Sequence, residues 1–273
     1  MTAPPVRASP QWLALREPAD AAARSVELVR RLRRDLPATG RLVIHDLGGG
    51  SGAMGRWLAP RLPGRQHWVV HDRDADLLEL ALADPPATDA DGAAVTVEAR
   101  RSDITRLAPG ELADASLVVA SALLDMLTAD ELAAMLGACT ASGRPVLLAL
   151  TVAGRFALTP ADPLDDRIAA AFNAHQRRTT AAGRLLGPDA VAAAVDELRR
   201  TGAEVLVRPS PWRLDAAHAD LMAAWLGGSV TAACEQEPAL AGEAGAYRDQ
   251  RLAQAAAGEL AVTVEHADLL VLA

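Results

Sequence analysis

The chain has 273 residues, of which 51% are hydrophobic and 23% charged. This composition is typical of a globular protein built as one large domain or as a core with a cap. The net charge is −8, and all 27 basic residues are arginine. Because lysine is absent, the sequence excludes a Walker A loop, a protein kinase and a Schiff-base enzyme. The acidic balance disfavours nucleic acid as a partner and favours a small molecule.

Two further features bear on where the protein works. The chain has no uncharged apolar run of about 18 residues, so we expect no membrane-spanning helix. The first residues, Met1-Thr2-Ala3-Pro4-Pro5, lack the basic stretch and apolar run of a secretory signal. We therefore predict a cytoplasmic protein without a membrane partner.

Short apolar blocks alternate with helical patterns along the first 152 residues. The blocks predict five strands, at residues 42–44, 68–70, 95–97, 116–120 and 146–152. Helices are predicted at residues 53–62, 74–82 and 128–143, the last of them opened by a capping box of Thr128 and Glu131. Strands that alternate with helices indicate βαβ units, and apolar strands indicate a parallel sheet covered on both faces. We therefore expect an α/β fold with a doubly wound sheet.

The second half of the chain breaks this alternation. A helix is predicted at residues 188–201, and two more strands at 203–207 and 260–272. Two longer segments, about 153–186 and 215–258, do not complete the sheet. We expect them to cover its ligand-binding edge.

A glycine-rich turn follows the first predicted strand. The strand leads into Asp46-Leu47-Gly48-Gly49-Gly50-Ser51-Gly52, and a helix begins at once. Ligands of open parallel sheets bind at the carboxyl ends of the strands, where glycines let the backbone approach closely. Asp72 ends the second strand, in place to accept hydrogen bonds from ribose hydroxyls. Asp103 follows the third strand and could accept from an adenine amino group, while Ile104 packs on the ring.

This ordered set resembles the class I S-adenosylmethionine-dependent methyltransferases over roughly residues 40–152. The matching stretches are Asp46 to Gly52, Val69-Val70-His71-Asp72, Ser102-Asp103-Ile104 and Ser116 to Asp125. The resemblance implies seven strands, the last antiparallel, and S-adenosylmethionine as cofactor with S-adenosylhomocysteine as product. It also implies an N-terminal helical segment at 1–40 and a Rossmann-like methyltransferase domain at 41–273 that carries the two segments as helical caps.

The resemblance also assigns residues to parts of the cofactor. Asp46 and the turn glycines Gly48, Gly50 and Gly52 would face the methionine end. Asp72 and its neighbour Arg73 would face the ribose, and Asp103 and Ile104 the adenine. Ser121 would complete the cofactor site, and Asp125, after the fourth strand, would lie near the transferred methyl group. Gly49 stands where many relatives carry cysteine or another small residue.

Candidates for the acceptor side come from less specific signals. His175 is a possible base, with Asn173 and Arg178 as hydrogen-bonding partners for a substrate. Trp212 follows the sixth predicted strand and is a further substrate-side candidate. Arg16 lies in the N-terminal segment, where it could meet the donor's carboxylate. No metal site is predicted, because His45 and His71 stand alone without a known ligand motif.

These features favour methyl transfer to an oxygen or nitrogen of a small molecule by in-line displacement. The motifs of amino-group and cytosine nucleic-acid methyltransferases are absent. One alternative is an NAD(P)-dependent oxidoreductase, since Gly48-x-Gly50-x-x-Ala53 also fits the dinucleotide fingerprint. A hydrolase, with Ser51 in a near-elbow and His266 late in the chain, is a weaker one. A module that binds S-adenosylmethionine without catalysis is the third.

Overall fold

A computed structural model of the chain describes residues 8–37, 40–108 and 110–272. The segment considered above for a secretory signal lies outside the described residues. The strands are β1 (Leu42–Leu47), β2 (Gln66–Asp72), β3 (Thr96–Arg101), β4 (Leu117–Ser121), β5 (Val146–Thr159), β6 (Thr179–Thr180), β7 (Gly183–Arg184), β8 (Glu204–Pro209), β9 (Trp212–Leu214) and β10 (Ala261–Leu272). The helices are α1 (Pro10–Ala23), α2 (Val26–Leu32), α3 (Ala53–Leu58), α4 (Ala75–Ala83), α5 (Ala129–Ala141), α6 (Asp165–Gln176), α7 (Ala190–Arg200), α8 (Ala219–Gln236) and α9 (Ala241–Ala256).

Seven of the strands form a central sheet in the order β3-β2-β1-β4-β5-β10-β8. The pairs β1–β2, β1–β4, β2–β3 and β4–β5 are parallel, whereas β10 runs antiparallel to both of its neighbours. The short β9 adds to β10, and β6 and β7 form a separate hairpin. The predicted doubly wound sheet of seven strands, with the last antiparallel, is confirmed.

Both faces of this sheet are covered because its strands are apolar on both sides. One face packs Leu47 and Val118 against Met135 of α5. The other packs Ile44 with Trp57 of α3 and with residues of α2. The carboxyl ends of β1 to β5 therefore meet at one edge between two helical layers.

Several boundaries differ from the sequence prediction for physical reasons. The helix expected at 53–62 ends at Leu58 and continues as a 3-10 turn, Ala59–Arg61, since Pro60 has no N–H to donate. β5 runs to Thr159, because residues beyond 152 pair with the first half of β10. The segment expected as a cap at 153–186 thus begins as a strand. The capping box of Thr128 and Glu131 is present as predicted.

The N-terminal helices lie against the sheet, near the edge where the parallel strands β1 to β4 end. Glu17 of α1 accepts two hydrogen bonds from Arg56 of α3, at 2.7 and 2.6 Å. Ser25, the N-cap of α2, donates its backbone N–H to Asp268 of β10 at 2.7 Å. No helix in the described ranges is both long and apolar enough to cross a membrane.

Candidate cofactor and acceptor site

The glycine-rich turn joins β1 to α3 with a backbone that only glycine adopts freely. Gly48, Gly50 and Gly52 have φ values of +67°, +54° and +82°, in the left-handed region. At Gly49 the restriction is spatial, because a Cβ would lie 2.7 Å from Oδ2 of Asp46. The turn thus needs glycine at all four positions, and Asp46 lies directly beneath it.

Asp72 at the end of β2 is bonded to this turn. Its Oδ2 accepts the N–H of Gly50 at 3.0 Å, and its Oδ1 accepts the N–H of Asp74 at 2.9 Å. The side chain is half-buried, so part of the carboxylate remains accessible. The neighbouring Arg73 is exposed, and its carbonyl accepts a hydrogen bond from Arg101 at 3.3 Å. The structure therefore brings the turn and the expected ribose-binding acid together.

Asp103 begins the short 3-10 turn that follows β3. Its Oδ1 accepts both the hydroxyl and the N–H of Thr105, at 2.7 and 3.1 Å. The hydroxyl hydrogen bond holds the pKa of Asp103 below its ordinary value. Ile104 is buried beside Leu47. The N–H of Ser102 donates to the carbonyl of Asp72 at 3.0 Å, which brings the second and third strand ends into contact.

Two buried groups of opposite charge, Asp46 and Arg24, lie within electrostatic range of each other beside the turn. Asp46 has no exposed surface, and neither carboxylate oxygen has a hydrogen-bond partner among the described residues. Burial raises its pKa to about 7, while the charge of Arg24 opposes this shift. Arg24 is 3% exposed; its Nη2 donates to Oγ of Ser121 at 3.0 Å, but its Nε and Nη1 have no partner there. Nearly all buried polar groups of proteins are hydrogen-bonded, so these unpartnered atoms are the site's candidate contacts to a ligand.

Arg16 was the residue expected to meet the donor's carboxylate. Its guanidinium is instead already paired with Asp20, through Nε at 2.8 Å and Nη2 at 3.1 Å. The same guanidinium lies 4.9 Å from the ring centre of Trp212. Trp212 is 2% exposed, and its indole N–H donates to Asp20 at 2.9 Å. Within the described part of the N-terminal segment, Arg24 is thus a second arginine that the sequence analysis did not single out, and it is buried with two unpartnered donors. The role expected of Arg16 stays a prediction, and Trp212 lies buried beneath it.

Asp125 lies in the 3-10 turn Leu124–Met126 that follows β4. Burial raises the pKa of this carboxyl, and the charges of Arg16 and Arg178 act in the opposite direction. Both guanidinium groups thus lie within electrostatic range of Asp125. Asn173 of α6 donates its amide to the carbonyl of Gly154 at 2.6 Å, while its own Oδ1 is buried without a partner in the described part of the chain.

His175, the predicted base, lies on α6 in an ion pair. Its Nε2 is 3.0 Å from Oε2 of Glu235, a carboxylate on α8 that is 63% exposed. A surface partner of this kind explains the position of the imidazole without a ligand. A catalytic role for His175 stays a prediction.

A second histidine, His266 of β10, is buried and lies against Trp212. It is 5% exposed, and its Nδ1 has no hydrogen-bond partner within the described ranges. Its ring centre is 5.2 Å from that of Trp212, and burial lowers its pKa to about 4. Thr151 of β5 is also fully buried, with an unpartnered hydroxyl. For Thr151 the available signal was a polar residue that follows the apolar run at residues 146–150, whereas β10 carries three other polar residues and its sequence does not single out His266.

No group of three His, Cys, Asp or Glu side chains in the described part of the chain could hold a metal ion. The ring nitrogens of His45 and His71 are committed to hydrogen bonds within the protein. This leaves neither imidazole free to bind a metal without breaking a bond.

Comparison with known proteins gives matches among solved structures only. No family model and no curated protein matches the chain. A methyltransferase from Thiobacillus denitrificans, crystallised with S-adenosylhomocysteine, is 14% identical; the match covers 98% of this chain and all of that chain at a TM-score of 0.46. A methyltransferase from Geobacter sulfurreducens in complex with the same compound is 16% identical, with coverages of 97% and 98% and a TM-score of 0.43. A mycolic acid cyclopropane synthase complexed with S-adenosylhomocysteine is 12% identical, with coverages of 89% and 83% and a TM-score of 0.47. Sequence identities and TM-scores this low do not establish a family for this chain.

Proposed function

We propose that this chain binds S-adenosylmethionine and transfers its methyl group to a small organic acceptor. The observation that carries the proposal is the buried pair of Arg24 and Asp46 beside the glycine turn. The amino-acid end of the donor has an ammonium and a carboxylate on one carbon. Asp46 can accept from the ammonium, and the free Nε and Nη1 of Arg24 can donate to the carboxylate. Each charge that the protein leaves unpaired then has its complement on the ligand.

The rest of the cofactor has matching groups along the same edge of the sheet. Asp72 offers carboxylate oxygens to the two ribose hydroxyls, beside the backbone of Gly50. Asp103 and Ile104 offer a carboxylate and an apolar side chain to the adenine ring. These assignments agree with the order of the strands, since β1, β2 and β3 lie side by side.

The same charges argue against a nicotinamide dinucleotide. Its pyrophosphate is negative and carries no ammonium, so the carboxylate of Asp46 beneath the turn would repel it. The N–H of Gly50, which could otherwise bind a phosphate oxygen, already donates to Asp72. The site therefore fits an amino acid better than a pyrophosphate.

Methyl transfer requires few catalytic groups beyond those that hold the cofactor and the acceptor. When bound, the donor supplies a methyl group on a sulfonium sulfur that leaves as a neutral thioether, so no acid is needed for the leaving group. Holding the acceptor in line contributes roughly 7–11 kcal/mol. Asp125, whose pKa is raised by burial, is the group we assign to take a proton from a hydroxyl or amine. His266 has an unpartnered Nδ1, and burial lowers its pKa to about 4, so a neutral His266 could accept a hydrogen bond.

Calorimetry with S-adenosylhomocysteine and with NADH tests the proposal. We expect binding of the first compound and none of the second. Incubation with S-adenosylmethionine and a panel of small alcohols and amines then tests transfer, read as S-adenosylhomocysteine released. Asp125→Asn should keep binding and lose transfer. Binding of NADH alone would overturn the proposal, and binding without transfer to any acceptor would favour a non-catalytic module.

A further inference from the structure

Four side chains form a hydrogen-bonded series at the carboxyl ends of the first three strands. His45 Nε2 is 3.0 Å from Oδ1 of Asp114, and His45 Nδ1 is 2.9 Å from Nε2 of His71. His71 Nδ1 is in turn 3.0 Å from Oγ of Ser102. Both imidazoles are fully buried, while the Asp114 side chain is 63% exposed. We call Asp114, His45, His71 and Ser102 the histidine chain.

The position of every proton in the histidine chain follows from its one anionic end. Asp114 as a carboxylate only accepts, so His45 donates from Nε2 and must accept at Nδ1. His71 then donates from Nε2 to His45 and accepts at Nδ1 from the hydroxyl of Ser102. A neutral histidine has one N–H, so each imidazole is satisfied in this single arrangement. Both rings are neutral, since burial lowers the pKa of His45 and lowers that of His71 to about 4.

Three members of the histidine chain immediately precede the three acids of the proposed cofactor site in sequence. The pairs are His45-Asp46, His71-Asp72 and Ser102-Asp103. Successive side chains of a strand point to opposite faces of a sheet. The alternation in β1 agrees, since Leu47 packs toward α5 and Ile44 toward α3. The histidines therefore lie behind the sheet, on the face opposite to Asp46 and Asp72.

We propose that the histidine chain is a positioning device that holds the cofactor carboxylates Asp46, Asp72 and Asp103 at a fixed spacing. The inference rests on the proposed function. A ligand that contacts three strand ends binds more tightly when the distances between these ends are already fixed. Otherwise the entropy lost in ordering the ends is subtracted from the binding free energy. Backbone hydrogen bonds pair β1 with β2 as far as Leu47 and His71, and the N–H of Ser102 donates to the carbonyl of Asp72. The side-chain bonds from His45 to His71 and on to Ser102 add a second link across the same three strands.

Asp114→Ala is the decisive variant because Asp114 is exposed and lies outside the ligand site. Without the carboxylate, nothing fixes the proton of His45 at Nε2, and the order of both imidazoles is lost. We expect S-adenosylhomocysteine to bind on the order of fivefold more weakly. Nitrogen NMR of the imidazoles should show both histidines with the proton on Nε2 in the wild type and mixed tautomers in the variant. Asp196→Ala, which removes an exposed carboxylate from α7, is the matched control and should change neither measurement.

Ser102 provides the second arm of the test. Ser102→Ala removes the hydroxyl at the other end of the histidine chain, whereas Ser102→Thr keeps it. We expect Ser102→Ala to bind S-adenosylhomocysteine as weakly as Asp114→Ala does, and Ser102→Thr to bind it as the wild type does. Because both alanine variants disrupt the same histidine chain, the double variant should lose less affinity than the product of the two single fold-changes.

Two outcomes separate this inference from the proposed function. Equal affinity in the wild type and Asp114→Ala, or losses in the double variant that simply multiply, would overturn the positioning role alone. Absence of binding by the wild-type protein would overturn the proposed function and the inference with it.

Discussion

The replacement Arg24→Leu tests the proposed function, in which Arg24 binds the donor's carboxylate and so separates an amino-acid ligand from other adenosine ligands. Its Nε and Nη1 are buried and free, so a carboxylate beside them would accept two charge-assisted hydrogen bonds. Hydrogen bonds to charged groups contribute about 1.5–3 kcal/mol each. Allowing for partial compensation by water, the loss is about 3 kcal/mol, which is roughly 150-fold in the dissociation constant of S-adenosylhomocysteine.

The assay is calorimetry with two ligands that differ only at the amino-acid end. 5′-Methylthioadenosine keeps the adenosine and the sulfur but has neither the ammonium nor the carboxylate. We expect Arg24→Leu to weaken the binding of S-adenosylhomocysteine roughly 150-fold and to leave the affinity for 5′-methylthioadenosine unchanged. Arg24→Lys, which keeps the charge but not the two-pronged donor geometry, should fall between the wild type and the leucine variant.

An equal loss for both ligands would refute this reasoning. It would mean that Arg24 acts through its contacts with Ser121 and the ring of Trp57, which help to order the fold. Urea unfolding of the same variants measures that contribution separately. The assignment stands only if the ligand with the carboxylate is affected selectively.

Three further predictions follow from the same site. Asp72→Asn keeps an acceptor for Gly50 but removes the charge, and should weaken S-adenosylhomocysteine about tenfold in calorimetry; an unchanged affinity would contradict the ribose assignment. Because the pKa of Asp46 is raised to about 7, an ammonium that binds its ionised form should release a proton, so near pH 6 the binding enthalpy should depend on the buffer, and near pH 8.5 it should not. The same enthalpy in phosphate and Bis-Tris near pH 6 would contradict this. Gly49→Ala places a Cβ 2.8 Å from Cγ1 of Val70 and should destabilise the fold by about 1–3 kcal/mol in urea unfolding. Its control, Gly137→Ala on α5, meets no atom within 4 Å and should stabilise by up to about 1 kcal/mol; equal effects would contradict the packing argument.

The sequence predicted the sheet and its glycine turn because the responsible signals are local. Apolar runs that end at Asp46 and Asp72 mark strands, and a topological rule then places consecutive strand ends at one edge. The order of the parallel strands is therefore enough to place residues that are distant in sequence, such as Asp46 and Asp72, close together in space. Boundaries were less accurate where long-range pairing decides them, as in β5, which continues to Thr159 only because β10 lies beside it.

The choice between Arg16 and Arg24 shows where local signals end. Both arginines lie on the N-terminal segment, and the sequence offers no reason to prefer the second. What separates them is Asp20, one turn after Arg16, whose carboxylate also accepts from Trp212 of the distant strand β9. The carboxylate of Asp20 is therefore held against Arg16, and the Nε and Nη1 of Arg24 have no hydrogen-bond partner within the described ranges. Tertiary packing decides which arginine Asp20 pairs with, and the local sequence pattern does not predict this.

The acceptor side was hard to predict for a related reason. Asp125, Arg178 and His266 come from a turn after β4, from the end of α6 and from β10, so no sequence spacing connects them. Parallel strand order brings the ends that carry Asp46, Asp72 and Asp103 to one edge of the sheet, whereas no such rule relates Asp125, Arg178 and His266 to one another. On the proposed function, the acceptor side would therefore be free to change while the three strand ends, held by the histidine chain, stay fixed.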